Sequence, residues 1–386
     1  MPAGLPFHFF MQKKLWPKRL GHMGKLMNST VRCIFVMLLI STLNLFAAET
    51  KMPLLKAPIL SDEMIEGYRV GLRPYRSSGL RIEKEELDGK TIIHNYGHGG
   101  AGITLSWGSA EEAIKLMNEQ PKSKTIAVIG AGVIGSSTAI MLTDLGYKVK
   151  IYARYITPDT TSDVAGAHWG TFLVACGESE FHKQQFKTIE ERSKSYFDTL
   201  ASEKNPRFAG VSLVDAYSFN LDNNSGNTPV TFDNGKSLLA AVDTTILINT
   251  SAYLKSIMDE LEKRHVEIQK VKLTKQDLAI LNEQVIFNCS GLGSTELFDD
   301  KDLKPVRGYL IEFKPQKDIN YFAYRDANKD SQYFTCMFSH QDKLLIGGST
   351  EEDQWSEEID EEVCRKILGE ARTLFEPASI ESSTKT

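Results

Sequence analysis

A strand, a glycine-rich turn and a helix follow one another without interruption from Thr125 onward, and this order restricts the fold more than any other feature. The run TIAVIGAGVIGSS opens with β-prone residues, and the spacing G-x-G-x-x-G begins immediately after them at Gly130. Apolar residues then recur at helical spacing until Gly146, and a second β-prone run occupies 148–153. This context separates a nucleotide-binding loop from a chance spacing of glycines. The sequence therefore predicts a Rossmann-like sheet with a helix N-terminus facing a pyrophosphate.

A second glycine-rich run, HNYGHGGAGITLSWG, extends from His94 to Gly108, upstream of the first. Glycine lets a backbone approach a ligand closely and adopt positive φ without steric cost. We interpret the run as a main-chain cradle for a flat or anionic group, formed by Gly97, Gly99, Gly100 and Gly102 and ending at the hydroxyl of Thr104. A tight turn before a helix at 110–117 is the alternative, and the glycines alone would favour it. The nearby first motif favours two loops around one dinucleotide.

The composition is that of an ordinary globular protein, with 386 residues, 41% hydrophobic residues, 25% charged residues and a net charge of −5. This length suffices for two domains or for one large one. A partner made of nucleic acid would favour a basic excess or a run of Lys and Arg, and the sequence has neither. We therefore expect no nucleic-acid partner.

The first fifty residues differ from the rest of the chain. Basic residues are spread through 13–32, and an apolar run, CIFVMLLISTLNLFAA, follows at Cys33–Ala48. The run is too short and too polar for a comfortable membrane span. A positive flank, a short apolar stretch and small residues at its end are typical of a secretory signal peptide, so residues 1–48 are predicted to be a signal peptide or an N-terminal extension. An uncleaved anchor or an amphipathic extension is the competing interpretation.

This segment decides the expected location. A cleaved signal implies a periplasmic or secreted protein that starts near Glu49, whereas a retained segment implies a cytoplasmic one. Any membrane association is expected through this segment only.

The five cysteines, at positions 33, 176, 289, 336 and 364, have no metal-like spacing, and we predict no metal site. Four of them could pair in an oxidising compartment, but isolated buried thiols are the preferred interpretation.

The end of the second predicted strand departs from the usual dinucleotide pattern. An acidic residue there would bind a ribose hydroxyl, but Arg154 stands in its place, which leaves a 2′-phosphate and hence NADP as an alternative. The following segment, TPDTTSDVAGAHWG at 157–170, argues against it. Its hydroxyls could hold phosphate oxygens, and its small residues beside Trp169 could admit a large planar ring. A turn rich in Ser and Thr is the bland interpretation of this segment.

These segments, with several others, resemble the D-amino-acid oxidases and their D-aspartate oxidase relatives. The resemblance rests on GAGVIG, TTSDVAGAHW, VIFNCSG (285–291), PVRGYLIEF (305–313), LLIGGSTEEDQWSE (344–357), GLRPYR (71–76) and HNYGHGGAGITLSWG. It implies an α/β fold, with a Rossmann-like FAD-binding domain and an interleaved α+β substrate domain built on a mixed or antiparallel sheet. It also implies that the chain is an enzyme, an FAD-dependent oxidoreductase.

The order of these segments is unusual for the family. In typical members GLRPYR and HNYGHGG close the chain, whereas here they precede the first glycine-rich loop, so the sequence resembles a circular permutation. Cuts in exposed loops between surface elements are those that folds tolerate. The implied organisation is a signal peptide or extension at 1–48, an FAD-binding domain at 80–200 and 251–303, a substrate domain at 201–250 and 304–377 with 67–79, and a tail at 378–386.

The resemblance implies FAD as the cofactor and assigns its contacts. The pyrophosphate loop would comprise Gly130, Ala131, Gly132, Val133, Ile134 and Gly135. The remaining FAD contacts would be Arg154, Thr160, Thr161, Ser162, Gly166, Ala167, His168, Leu273, Ser290, Gly291, Gly99, Gly100, Gly102, Ile103 and Thr104. Backbone dipoles of the second run could stabilise negative charge on the reduced ring.

Arg73 and Gly100 carry the chemistry that the resemblance implies. A guanidinium offers a planar fork for a carboxylate, so Arg73 would hold the α-carboxylate of the substrate. The carbonyl of Gly100 would accept a hydrogen bond from the α-amino group. The Cα–H then points at flavin N5, and hydride transfer becomes a matter of orientation. The implied products are an imino acid, which hydrolyses in water, and hydrogen peroxide from dioxygen.

The family's tyrosine hydroxyls near the carboxylate are missing here. Asp243, Thr244 and Thr245 occupy their approach, and Tyr217 and Tyr333 are the candidate substitutes for substrate binding. His168 and His98 invite catalytic roles, but packing or a turn is the favoured interpretation for each.

Three further hypotheses stay open at this point. One is an exported flavin dehydrogenase of amino acids, including glycine or D-aspartate, with an acceptor other than oxygen. Another is an inactive protein that binds flavin or an amino acid. The third is an NADP-dependent reductase, suggested by Arg154 alone. The expected partners of the leading hypothesis are a small D-amino acid and dioxygen, and a homo-oligomer is compatible with the sequence.

Overall fold

Two β-sheets and the helices around them form the described part of the chain. The computed structural model describes residues 53–117, 125–219, 228–327 and 331–377. The predicted signal peptide, the linker at 119–124 and the tail lie outside these ranges. Within them no helix is both long and apolar enough to span a membrane.

The strands of the described residues are β1 (Leu54–Leu55), β2 (Ile65–Arg76), β3 (Arg81–Leu87), β4 (Lys90–Tyr96), β5 (Thr125–Ile129), β6 (Lys148–Ala153), β7 (Val211–Ser218), β8 (Thr228–Phe232), β9 (Ser237–Ile248), β10 (Glu267–Lys270), β11 (Val285–Asn288), β12 (Leu303–Phe313), β13 (Tyr321–Arg325), β14 (Tyr333–Ser339), β15 (Leu344–Ser349) and β16 (Glu351–Glu352). The α-helices are α1 (Gly102–Lys115), α2 (Val133–Asp144), α3 (Thr161–Val164), α4 (Glu180–Ser202), α5 (Thr250–Lys263), α6 (Lys275–Ile280), α7 (Ser294–Leu297) and α8 (Glu361–Phe375).

The smaller sheet has the order β10-β6-β5-β11-β4-β3. Its first five strands are parallel, and only the edge strand β3 is antiparallel to its neighbour. The central strands β5 and β11 are almost wholly buried, as expected for parallel strands covered on both faces. The predicted Rossmann-like sheet is therefore confirmed, with β4 of the upstream glycine-rich run beside β11.

The larger sheet has ten strands in the described residues. Nine of them follow the order β1-β8-β9-β7-β13-β14-β15-β12-β16, and β2 pairs with β12. Antiparallel pairs predominate, but β7 runs parallel to β13 and β1 runs parallel to β8. Helix α8 buries its apolar stripe, from Val363 to Phe375, in the core of this sheet. The mixed sheet confirms the predicted fold class.

Helix α1 begins at Gly102 rather than near Ala110 as predicted. Gly102, which we interpreted as part of the main-chain cradle, and Gly108 both lie inside the helix. The main-chain N–H of Gly108 donates to the hydroxyl of Ser193 on α4 at 2.9 Å, so tertiary packing outweighs the low helix propensity of glycine here. The end of the glycine-rich run, from Gly102 to Gly108, therefore forms the first turns of α1.

Candidate active site

A cavity of about 810 Å³ lies where the glycine-rich loops of the smaller sheet meet β2, β12 and β14 of the larger one. Its volume falls within the range of about 300–1,000 Å³ that small-molecule and cofactor sites occupy. Both glycine-rich runs line it, although α1 and the linker separate them in the chain. The fold thus brings together the two loops that the sequence predicts around one ligand.

The first loop turns sharply between β5 and α2. Gly130 has φ of +105°, and a Cβ there would lie 2.4 Å from the carbonyl oxygen of Cys289. Glycine is required because an L side chain fits neither the conformation nor the space. Helix α2 then starts at Val133 with Gly132 as its N-cap, and because the residues at this start line the cavity, the positive end of the helix dipole faces it. This is the geometry of an anion site at a helix start.

The hydroxyl segment after β6 is held by its own capping box. Thr160 and Asp163 exchange bonds across the first turn of α3, with Thr160 Oγ1 donating to Asp163 Oδ2 at 2.6 Å. Ser162 Oγ accepts a bond from the main-chain N–H of Val133 at 3.1 Å, which ties this segment to the start of α2. Thr160, Thr161 and Ser162 all line the cavity beside the first loop.

The second loop forms a 3-10 turn, Gly99–Ala101, that leads directly into α1. The main-chain N–H of Gly100 donates to Leu173 O at 3.2 Å, while Gly100 itself is exposed and lines the cavity. Thr104 Oγ1 donates to Gly170 O at 2.9 Å and accepts from Gly170 N at 3.1 Å. These bonds fix the loop against the segment that follows Trp169.

Arg73 is a buried cation in the lining of the cavity. It lies on β2 opposite Val306, and its Nη1 donates to the main-chain carbonyl of Ser349 at 3.0 Å. Gly308 on β12 leaves the space for its guanidinium, because a Cβ there would lie 2.2 Å from Arg73 Nη2. Among the described residues no carboxylate forms an ion pair with Arg73.

The surroundings of Arg73 make a bound anion favourable. Burial lowers its pKa to about 10, so the guanidinium stays charged at neutral pH. A cation taken out of water without a paired anion is costly to the fold. A ligand carboxylate would offset that cost through charge-assisted hydrogen bonds, and a guanidinium fork suits its geometry.

Five buried side-chain polar atoms lack a partner among the described residues, and two of them belong to the cavity lining. These two are Asn95 Oδ1 and His98 Nε2. Burial lowers the pKa of His98 to about 3, so its ring is neutral and can donate or accept only as an uncharged group. Together with the glycine-rich cradle, these orphaned atoms fit a large polar cofactor such as FAD.

His168 has a packing role in the structure. Its ring stacks on Phe322 with 4.3 Å between centroids, and burial lowers its pKa to about 4.

Arg154 lines the nucleotide end of the cavity, and its guanidinium carbon lies 4.7 Å from the ring centroid of Tyr155. Three of the described cysteines are buried as free thiols, and Cys176 is exposed and free.

The predicted site residues lie along this one cavity with three exceptions, Gly135, Tyr217 and Tyr333. Those that line it are Arg73, Gly99, Gly100, Gly102, Ile103, Thr104, Gly130, Ala131, Gly132, Val133, Ile134, Arg154, Thr160, Thr161, Ser162, Gly166, Ala167, His168, Leu273, Ser290 and Gly291. Gly135 does not, since it lies inside α2 and packs beneath the Gly130 carbonyl. The individual roles given to these residues stay predictions.

The prediction for Tyr333 requires correction, as does the one for Tyr217. Neither lines the cavity. Tyr333 lies on the other face of β14, where Lys366 Nζ is 6.0 Å from its ring centroid and Gln332 donates to its hydroxyl at 3.2 Å. Tyr217 is buried in the core of the larger sheet against Tyr321. Strand alternation turns both rings away from the cavity.

Tyr324 on β13 does line the cavity, as do Tyr96 and Tyr155, and the sequence interpretation missed it. Phe172 and Phe334 line the same end. The run YFAYR is rich in β-prone aromatic residues and favours a strand, but nothing local says which face meets the cavity. That face is set by pairing of Tyr324 with Ser218 on β7 and with Cys336 on β14.

The protein family that the sequence matches uses FAD, the cofactor that fits the cavity described above. The chain matches the family described as DAO, FAD dependent oxidoreductase, over residues 125–214 and 235–385, which is more than half of its length. It is 30% identical over 258 residues to a D-amino-acid oxidase of Streptomyces coelicolor, covering 64% of this chain and 77% of that protein. It is 27% identical over 270 residues to a D-aspartate oxidase of Homo sapiens, covering 64% and 75% respectively. A glycine oxidase structure from Geobacillus kaustophilus has a TM-score of 0.49 at 12% identity, covering 64% of this chain and 76% of that chain.

Proposed function

The chain belongs to the DAO family of FAD-dependent oxidoreductases, and from this premise we propose that it oxidises D-amino acids with dioxygen as the electron acceptor. FAD is its cofactor, which removes the NADP alternative suggested by Arg154. In the proposed reaction a D-amino acid, dioxygen and water give a 2-oxo acid, ammonia and hydrogen peroxide. The amino acid loses two electrons and two protons, and dioxygen gains both.

The observation that carries this proposal is the charged, unpaired guanidinium of Arg73 at one end of a cofactor-sized cavity. An α-carboxylate supplies the missing anion and can bind the fork in a bidentate manner. The bond to Ser349 O holds the guanidinium in place before substrate arrives, which reduces the entropy lost on binding. The carboxylate position then fixes where the α-carbon lies.

Orientation is the contribution that these residues make to the chemistry. Gly100 is exposed to the cavity, and we assign its carbonyl to the α-amino group of the substrate. With its α-carboxylate and its α-amino group both held, the amino acid can direct its Cα–H in one direction only. Orientation of this kind lowers the activation barrier of hydride transfer substantially. His98 and His168 are neutral and buried, so we assign no proton transfer to either of them.

The residues for the cofactor are the two loops and the hydroxyl segment. The start of α2 would hold the pyrophosphate, and Thr161 and Ser162 would lie beside it. Asn95 and His98 offer the polar atoms that lack partners within the described residues. FAD, when bound, supplies the hydride acceptor and the route by which electrons reach dioxygen.

The proposal is tested by product stoichiometry. Purified protein supplied with FAD and D-alanine in air should form one hydrogen peroxide, one ammonia and one pyruvate per dioxygen consumed, and L-alanine should give none. Oxidation of D-amino acids that needs an artificial acceptor and leaves oxygen unused would replace the oxidase with a dehydrogenase. Flavin-loaded protein that turns over neither with oxygen nor with an artificial acceptor would overturn the proposal.

A further inference from the structure

A row of aromatic side chains leads away from Arg73 inside the cavity. The ring centroid of Phe172 lies 5.6 Å from Arg73 Cζ and 5.5 Å from the centroid of Phe334. The centroid of Phe334 in turn lies 6.3 Å from that of Tyr324. All three rings line the cavity. A carboxylate bound to Arg73 therefore places the rest of an amino acid beside this row.

The row ends in a carboxylate. The hydroxyl of Tyr324 donates a hydrogen bond to Asp326 Oδ1. Asp326 is exposed, and its neighbour Arg325 pairs with Glu370 instead. Within the described ranges no lysine or arginine forms an ion pair with Asp326.

The charge of Asp326 also acts on the cavity wall. Burial raises the pKa of the Cys336 thiol, Arg73 lowers it, and Asp326 raises it. Cys336 lines the cavity and stands opposite Tyr324 in the sheet. The wall at this end therefore lies between a fixed cation on one side and an anion on the other.

A second carboxylate borders the same region. Glu357 lines the cavity, and the carbonyls on either side of it, those of Ser356 and Glu358, accept bonds from Arg307 and Tyr309. These two residues flank Gly308, which faces the Arg73 guanidinium. The other described cations of the cavity are at the nucleotide end, where Lys272 pairs with Glu296 at 2.6 Å.

We propose that this subsite selects a D-amino acid whose long aliphatic side chain ends in an ammonium or a guanidinium. The inference rests on the proposed function. The stem packs against Phe172 and Phe334, and the cationic end lies against Tyr324 and near Asp326. Aromatic faces attract cations, and the carboxylates of Asp326 and Glu357 have the complementary charge. A substrate with a second carboxylate meets acidic groups here, while the other guanidinium of the described lining, that of Arg154, lies beside the pyrophosphate loop.

The test compares D-lysine with D-norleucine, which has the same stem without the ammonium, and with D-glutamate. We expect kcat/KM for D-lysine to exceed that for D-norleucine by about tenfold, a size typical of a cation with an aromatic face and one carboxylate. D-glutamate should be the poorest of the three. The substitution Asp326→Asn keeps a hydrogen-bond acceptor for Tyr324 and removes the charge, so the ratio of D-lysine to D-norleucine should fall about threefold or more.

The matched control is Asp318→Asn. Asp318 is an exposed aspartate that precedes β13, whereas Asp326 follows it, and its substitution removes the same charge. The ratio should not change in this variant. If D-norleucine is oxidised as well as D-lysine, or if Asp326→Asn leaves the ratio unchanged, the subsite inference is wrong while the proposed function stands. If no D-amino acid is oxidised at all, the proposed function and the inference fail together.

Discussion

The guanidinium of Arg73 donates to the main-chain carbonyl of Ser349 at 3.0 Å, so the fork is held by a neutral group. This bond fixes the position of the guanidinium without neutralising its charge. Both residues lie on strands next to β12 in the larger sheet, β2 on one side and β15 on the other. The sheet therefore presents a fixed cation to the cavity.

Replacing Arg73 should separate substrate binding from cofactor binding. Arg73→Ala should raise KM for D-amino acids about 100-fold, since hydrogen bonds to charged groups contribute about 1.5–3 kcal/mol each. The flavin content should stay that of the unchanged protein, because the start of α2 and the hydroxyl segment, not Arg73, are assigned to the cofactor. Arg73→Lys, which keeps the charge but loses the planar fork, should have a KM between those of the unchanged protein and Arg73→Ala. Steady-state kinetics at saturating oxygen provide the measurement, and unchanged KM in Arg73→Ala would exclude the assigned role.

Gly308 should matter through the space that it leaves. A methyl group at this position would overlap the Arg73 guanidinium, so Gly308→Ala should displace the fork and raise KM about tenfold without loss of folding. Gly67→Ala is the matched control on the paired strand β2, since a Cβ there has no heavy atom within 4 Å. Both variants are assayed with one D-amino acid and compared in flavin absorbance. Equal KM values in the two variants would show that the close approach has no functional effect.

Burial of His98 predicts a pH dependence of stability. Its pKa is about 3 in the folded protein, against about 6.5 for an unperturbed histidine, so below pH 6.5 the unfolded state binds more protons. The free energy of unfolding should therefore fall as the pH is lowered from 6.5 towards 3, by up to about 1.4 kcal/mol per pH unit for this residue. Urea unfolding at pH 7 and pH 5 measures the effect.

The matched variants for this prediction are His98→Gln and His182→Gln. His98 is 2% exposed, whereas His182 is an exposed residue of α4. The loss of stability between pH 7 and pH 5 should shrink in His98→Gln and remain in His182→Gln. The same shrinkage in both variants would mean that burial of His98 does not set the dependence.

The segment order makes a prediction about connectivity, and we propose that it reflects a circular permutation. The end of α8 lies against the chain before β2, because Arg372 Nη2 donates to Leu60 O at 2.7 Å and to Asp62 Oδ1 at 2.8 Å. A gene encoding 125–377, a short flexible linker and then 53–117 should give a protein that binds FAD and keeps its activity within about threefold, as cuts in surface loops are tolerated. Opening the chain at Gly99 instead should abolish flavin binding. Loss of flavin in the first rearranged protein would contradict the proposal.

Local signals account for what the sequence predicted well. The strand Thr125–Ile129 and the helix after Gly130 were predicted nearly to the residue, because turn, helix start and apolar spacing are all encoded within thirty residues. Arg73 and Gly100 were placed at the cavity through resemblance. Neither their mutual position nor the start of α1 at Gly102 could be read from local pattern.

Long-range pairing accounts for what was missed. Tyr333 and Tyr324 both belong to β-prone runs, and only the register of β13 and β14 decides which ring faces the cavity. The unpaired state of Arg73 likewise depends on Ser349, which is 276 positions away in the chain. Such relationships are properties of the assembled sheet and leave no mark in a short sequence window.

The most direct measurement is an anaerobic titration of the purified, FAD-loaded protein with D-lysine, followed by its visible absorbance. The account predicts a yellow protein whose flavin band bleaches completely at about one equivalent of D-lysine, while L-lysine leaves the band intact. A protein that takes up no FAD, or a flavin band that no D-amino acid bleaches, would contradict it.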